Sequence, residues 1–276
     1  MIAAETMPEP FYPSDLTDLE WEIIDLMLPL EKQQGRQRQV DFRQVVNAIF
    51  YRADNGIKWR AMPREFPVWQ TVYSYYRKWV KRGLWESINA LLVQQVRTQS
   101  GRAEQPSLGM IDSQSVKRGQ RGQLEQGYDG YKKVKGRKRH VVVDVLGLML
   151  GCYVSAANAA DSKAAPAVLV PVLELYKCLE KVLADQAYKG EVDSCLQAAY
   201  KCVLEIAPPR EKKGFRVESL RWIVERTFAW LDNARALCRD YEVLPENHEG
   251  MICVVAIRLM LRRLGNNRRT RTFKAA

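Results

Sequence analysis

Asp112, Asp185 and Glu225 are the side chains of this chain best placed to do chemistry. Asp112 ends the apolar stretch Leu108-Gly109-Met110-Ile111, and Asp185 ends Val182-Leu183-Ala184. Glu225 lies inside a helical pattern that runs from Val217 to Leu231. Two strand-end aspartates and one helix-borne glutamate can deliver hard oxygen ligands to one point, which suits Mg²⁺ or Mn²⁺. Two such ions can clamp the attacking and leaving oxygens of a phosphodiester.

The neighbouring acids have simpler readings. Asp144 stands where a strand meets its turn, and Asp161 precedes a helix as an N-cap would. Glu218 and Asp232 are seven residues from Glu225 on either side, so they share its helix face. Arg221 lies four residues before Glu225 on that face; its planar fork can hold a phosphate, or it can make an i,i+4 ion pair. Trp222 and Trp230 read as core residues. Between Asp112 and the next apolar strand runs a basic, glycine-rich stretch with Lys117, Arg118, Arg121, Lys132, Lys133, Lys135, Arg137, Lys138 and Arg139. Such a loop can follow a phosphate backbone.

The elements that would position these groups fall into two regions. The first hundred residues read as helices. Thr17-Asp18-Leu19-Glu20 is a capping box, followed by Leu19, Ile23, Leu26, Met27 and Leu30 at helical spacing. A second helix starts near Asp41 with Phe42, Val45, Val46, Ile49 and Phe50 on one stripe, and Asn55-Gly56 ends it. A third places Trp69, Val72, Tyr73, Tyr76, Trp79 and Val80 inward. Its other face carries Gln70, Thr71, Ser74, Arg77, Lys78, Lys81 and Arg82, and Gly83 stops it. That face is the expected major-groove reader of a helix-turn-helix-like unit. A fourth helix covers about Leu84 to Val96.

From Ser107 the pattern changes. Strands are expected at Ser107–Asp112, Arg139–Asp144, Leu148–Ser155, Lys181–Asp185 and Cys202–Ile206, with a hairpin turning at Leu146-Gly147. Helices are expected at Ser162–Leu179, at Gly190–Ala199, around Glu225 and from about His248 to Leu264. Three strands, a helix, a strand, a helix, a strand and a helix is the order of an RNase H-like α/β domain, here with a mixed five-stranded sheet flanked by helices. The expected division is a helical unit at 1–100, the α/β unit at 101–264 and a basic, disordered tail at 265–276.

Composition bounds the function. The net charge is +11 with a pI near 9.4, which favours a polyanionic partner. The six cysteines form no C-x-x-C pair, so they read as reduced thiols rather than a disulfide framework or zinc site. With only His140 and His248, histidine-rich metal sites and a Ser-His-Asp relay are disfavoured. Residues 1–10 lack the apolar segment of a signal peptide. The apolar stretch Val141–Ala160 contains Asp144, Gly147, Gly151 and Asn158 and fits a hairpin better than a membrane span.

Four stretches carry a resemblance. Ile111-Asp112-Ser113-Gln114-Ser115-Val116-Lys117, Gly127-Tyr128-Asp129-Gly130-Tyr131-Lys132-Lys133-Val134-Lys135-Gly136-Arg137-Lys138-Arg139-His140, Leu183-Ala184-Asp185-Gln186-Ala187-Tyr188-Lys189-Gly190 and Arg221-Trp222-Ile223-Val224-Glu225-Arg226-Thr227-Phe228-Ala229-Trp230-Leu231 resemble, in order and spacing, the motifs of bacterial insertion-sequence transposases of the insertion sequence five family. Asp41 to Leu84 is similar to the helical DNA-binding part often joined to them. The resemblance implies a DDE triad at Asp112, Asp185 and Glu225, holding two Mg²⁺ or Mn²⁺ ions. A broader form of the third motif has a tyrosine where Glu218 stands and a lysine where Asp232 stands. Arg221 matches that form, and Arg226, Arg235 or Arg239 can take over the lost phosphate contacts. The implied activity is cleavage and strand transfer at the terminal inverted repeats of a mobile element. The partners are double-stranded DNA and a second copy, as a homodimer or larger assembly on DNA, in the cytoplasm at the nucleoid. A structure-selective endonuclease without strand joining, and a repressor using the helical part alone, are the alternatives.

Overall fold

The computed structural model describes residues 11–29, 40–120, 122–190, 192–207, 220 and 222–275, with side chains in the last helix as far as residue 265. Four helices come first: α1 (Asp18–Asp25), α2 (Phe42–Asn55), α3 (Trp69–Lys81) and α4 (Leu84–Gln99). Thr17 and Glu20 form the expected capping box, and Asp41 caps α2 through the Arg43 amide at 2.8 Å. Helix α1 stops at Asp25, short of the expected stripe, and Leu26 is 89% exposed. Pro29 is the reason, because it forces the residue before it out of helical geometry.

Helices α2 and α3 are joined by residues 56–68 rather than by the three- or four-residue turn of a helix-turn-helix. The connection is filled by a 3-10 turn, Trp59–Ala61, whose Trp59 ring packs on Tyr73 and Tyr76 under the Arg52 guanidinium.

The sheet has six strands: β1 (Leu108–Lys117), β2 (Gly127–Asp129), β3 (Val134–Asp144), β4 (Met149–Ala156), β5 (Lys181–Ala184) and β6 (Val203–Ile206). Their order is β2-β3-β1-β5-β6, with β4 also on the β3 edge. β1, β2, β3 and β4 pair antiparallel, while β5 runs parallel to β1 and β6 parallel to β5. Helices α5 (Asp161–Leu175), α6 (Val192–Tyr200) and α7 (Trp222–Asp232) flank it, and α8 (Pro245–Ala275) closes the chain. This is the expected RNase H-like mixed α/β architecture, with one strand more than the sequence pattern indicates.

The differences lie in the basic stretch. β1 runs five residues past Asp112, β2 is new, and β3 begins at Val134 rather than at Arg139. Charged residues enter β3 because distant acids receive them. The Arg137 guanidinium is 1% exposed and meets Asp240 at 2.7 Å and the carbonyls of Glu242 and Val243. Arg139 meets Gln114 and Asp232. Asp144 is fully buried, pairs with Arg97 and accepts the turn amides of Leu146 and Leu148 at 2.9 Å. Its structural reading holds. Asp161 is the first residue of α5 rather than its cap, and pairs with Lys138 at 3.0 Å.

One apolar core runs through the N-terminal helices, the sheet, α7 and α8. Residues Met251 to Ile257 are all buried, the sign of a helix enclosed on every side. α8 packs on α1, α2, α3 and α4 on one side and on β4 on another. It is continuous to Ala275, past the expected end at Leu264.

Candidate active site and nucleic-acid surface

The parallel register of β1 and β5 determines where the two aspartates stand. Met110 is opposite Leu183, and Asp112 and Asp185 each follow two residues later. Neighbouring strands are about 4.8 Å apart, so Asp112, midway along β1, and Asp185, just past the end of β5, stand at matching levels of adjacent strands. Both residues are half-buried. Asp112 Oδ1 accepts the Ser113 amide at 2.7 Å. Asp185 caps the 3-10 turn Gln186–Tyr188, its Oδ1 accepting the Ala187 amide at 2.9 Å.

Tyr188 ends that turn and is fully buried. Its hydroxyl is 3.2 Å from His140 Nδ1, and His140 Nε2 is 2.9 Å from Ser155 Oγ. In the β1–β3 register His140 lies opposite Ser113, the residue after Asp112. Burial, then the negative charges of Asp161, Asp112 and Asp185, push the Tyr188 phenol well above its usual range, so it is a neutral hydroxyl. Burial, reinforced by Lys138 and Lys132 and opposed by Asp161, brings His140 down to about 4, so its ring is neutral. The His140–Tyr188–Ser155 arrangement is the part of the site that sequence reasoning missed. Its available signals were a lone histidine at the end of a basic run and a tyrosine three residues after Asp185.

Glu225 is exposed on α7. That helix lies across β1 and β3: Thr227 Oγ1 donates to the Gly147 carbonyl at 3.1 Å, and Asp232 accepts from Gln114 at 2.9 Å. Asp232 is two helical turns beyond Glu225 on one helix face. Gln114 is two residues beyond Asp112 on one strand face. Glu225 is thus carried on the α7 face that meets the Asp112 side of β1. Among the described residues no three His, Cys, Asp or Glu side chains form a group that could hold a metal ion.

The expected DNA contacts divide. Arg221 and Glu218 lie outside the described residues. Lys117, Arg118, Lys133 and Lys135 are exposed, and Lys132, also exposed, sets its Nζ 3.1 Å from the Ser113 carbonyl. Arg137 and Lys138 do not fit the expectation. Arg137 is buried with its donors on Asp240 and main-chain carbonyls, and the largely buried Lys138 ammonium is spent on Asp161 and the Ala159 carbonyl. Arg226 stacks between Trp222 and Trp230, 4.6 and 4.4 Å from the ring centroids, and Arg263 covers Trp230 at 4.7 Å. Trp222 is therefore a surface ring, 47% exposed, and not a core residue. The four-residue spacing of 222, 226 and 230 on one helix was its signal. On α3, Gln70, Ser74, Arg77 and Lys78 are exposed and Thr71 is half-buried. Gln70, Ser74, Arg77 and Lys78 border a groove of about 970 Å³ that Glu246 and Asn247 also line.

Comparison with known families bears on the fold as a whole. Residues 103–260 match the family described as "Transposase DDE domain". Residues 16–89 match the family described as "Putative transposase of IS4/5 family". No curated protein matches the chain significantly. Among the described residues no helix is long and apolar enough to cross a membrane.

Proposed function

The chain belongs to the IS4/IS5-type transposases with a DDE domain, and from that membership we propose that it cuts the terminal inverted repeats of its own element and joins them to target DNA. The observation that carries this reading is the β1–β5 register, which sets Asp112 and Asp185 side by side in a domain of this family. Residues 1–100 recognise the element ends and residues 101–264 perform the chemistry.

Two half-buried carboxylates at matching levels of neighbouring strands form a hard oxygen donor set that fits Mg²⁺ or Mn²⁺. Asp112 and Asp185 would hold the ions, with Glu225 as a third oxygen donor. Such ions supply charge neutralisation and a water nucleophile at neutral pH. The protein's own part is to align the strand. In the first step water attacks phosphorus in line, and the bond to the 3′ oxygen breaks, leaving a 3′-hydroxyl and a 5′-phosphate. In the second, that hydroxyl attacks a target phosphorus and displaces its 3′ oxygen. Neither step needs a covalent enzyme intermediate; positioning and electrostatics suffice. Pairing two ends calls for at least a homodimer on the DNA, and the natural setting is the bacterial nucleoid.

The test is cleavage of DNA carrying the inverted repeats that flank the gene. Asp112→Asn, Asp185→Asn and Glu225→Gln should each lower cleavage by at least ~100-fold while end binding persists. Full activity in any one of them removes that residue from the triad. Cleavage without joined products would instead identify a structure-selective endonuclease.

A further inference from the structure

The turn between β2 and β3 displays an aromatic ring for which neither the fold nor the carboxylates have a use. Tyr131 is 95% exposed, the most exposed large apolar or aromatic side chain among the described residues. A lone exposed tyrosine on a loose loop would mean little. This one stands on a tied turn. Asp129, 8% exposed, accepts the amides of Tyr131 and Lys132 through Oδ1 at 3.0 Å and the Ser115 hydroxyl through Oδ2 at 2.5 Å. Lys133 holds a left-handed φ of 53° to close the turn.

The turn folds back over β1. Lys132 Nζ reaches the Ser113 carbonyl, one residue from Asp112. Where β3 leaves the turn it passes close to β1 at Gly136, where a Cβ would lie 2.1 Å from the Val116 carbonyl oxygen. Tyr128, 56% exposed, pairs across the hairpin with the exposed Lys135. The hairpin thus presents two open rings and three exposed ammonium groups, with Lys132 reaching the residue after Asp112 and Tyr128 and Lys135 further out, beyond the Gly136–Lys117 pair. Rings for bases and cations for phosphates are the components of a single-strand binding surface.

We propose that the hairpin is a base-stacking element: Tyr131 packs its ring on an unpaired nucleobase of the DNA strand held at Asp112 and Asp185. This rests on the transposase reading of the site. Bases inside a duplex cover one another's faces, so the ring can stack only where a strand is open, as at a frayed or cut end. Because every base has a π face, the contact is indifferent to sequence.

The probe is a mixed-sequence duplex with a short single-stranded overhang containing 2-aminopurine, compared with the same duplex blunt-ended. The full-length protein should bind the overhang form more tightly and quench its fluorescence. Tyr131→Ala should remove the quenching and weaken overhang binding about tenfold, with blunt-duplex affinity within about twofold. Tyr131→Trp should restore both. Unchanged quenching and overhang preference in Tyr131→Ala would overturn the proposal. So would a change in the sedimentation of the DNA-free protein with overhang binding intact, which would make the ring a contact between copies. Wild-type protein that binds neither duplex at low salt would overturn the transposase reading and this proposal with it.

Discussion

Tyr188 places a neutral hydroxyl beneath a concentration of negative charge, and its partner His140 is kept neutral by the same burial. Removing the hydroxyl alone separates packing from positioning. Tyr188→Phe keeps the ring and loses the buried hydrogen bonds of the hydroxyl to His140 and Ser113, so it should cost about 1–2 kcal/mol in urea unfolding. If the hydroxyl also orders Asp112 and Asp185, cleavage should fall about tenfold, roughly 1.4 kcal/mol of barrier, and the Mn²⁺ concentration for half-maximal cleavage should rise. A stability loss with neither change would leave Tyr188 a packing residue only. His140 gives a pH prediction whose sign follows from its shift. Its folded pKa of about 4 lies below the ordinary 6.5, so between those values the unfolded chain binds the proton and the folded one does not. Stability from this group is complete above about pH 6.5 and is lost as pH falls towards 4, by at most ~3 kcal/mol. Urea unfolding followed from about pH 7 to about pH 4.5 should show that slope, and His140→Gln should flatten it.

At the scale of elements, buried ion pairs tie the helices to the sheet. Arg97 near the end of α4 meets Asp144 at the β3–β4 turn and also donates to the Ala103 carbonyl at 2.8 Å. Arg97→Met would leave a fully buried carboxylate without its cation, and should cost about 3–5 kcal/mol. The exposed pair Lys181–Glu205 is the contrast: Lys181→Met should change unfolding by no more than ~0.5 kcal/mol. Equal losses for the two would mean that Asp144 does not depend on Arg97. These pairs also explain which parts of the fold were legible in the sequence. Helices α2, α3 and α4 are readable because their apolar spacing is a local signal, and Asp112 and Asp185 are readable as the ends of short apolar runs. The continuation of β1 through Ser113-Gln114-Ser115 and the start of β3 at Val134 are not. Their polar residues look like loop until Asp232 and Asp240, far along the chain, arrive to pair with Arg139 and Arg137. Trp222 was misread for the converse reason: its indole is covered by an arginine on its own helix rather than by the core.

Across the whole molecule, α8 joins α3 to the sheet. The Tyr76 hydroxyl of α3 donates to the Asn247 carbonyl near the start of α8, and Gly250 lies against Val80. The same helix then packs on α4 and β4. α3 is therefore anchored by its buried side, Val72, Tyr76, Trp79 and Val80, while Arg77 and Lys78 extend to solvent. Their charges can be reversed without disturbing the core, which makes them a clean test of the DNA surface. On a chain of net charge +11, phosphate contacts release counterions, and the logarithm of affinity falls with the logarithm of salt in proportion to the number of contacts. The double variant Arg77→Glu, Lys78→Glu should bind element-end duplex about 10–100-fold more weakly at low salt, with a salt slope shallower by about 2. Helical circular dichroism and the urea midpoint should stay where they are. A reversal that leaves affinity and slope unchanged would place DNA elsewhere, and the hairpin carrying Lys132, Lys133 and Lys135 would be the next surface to reverse.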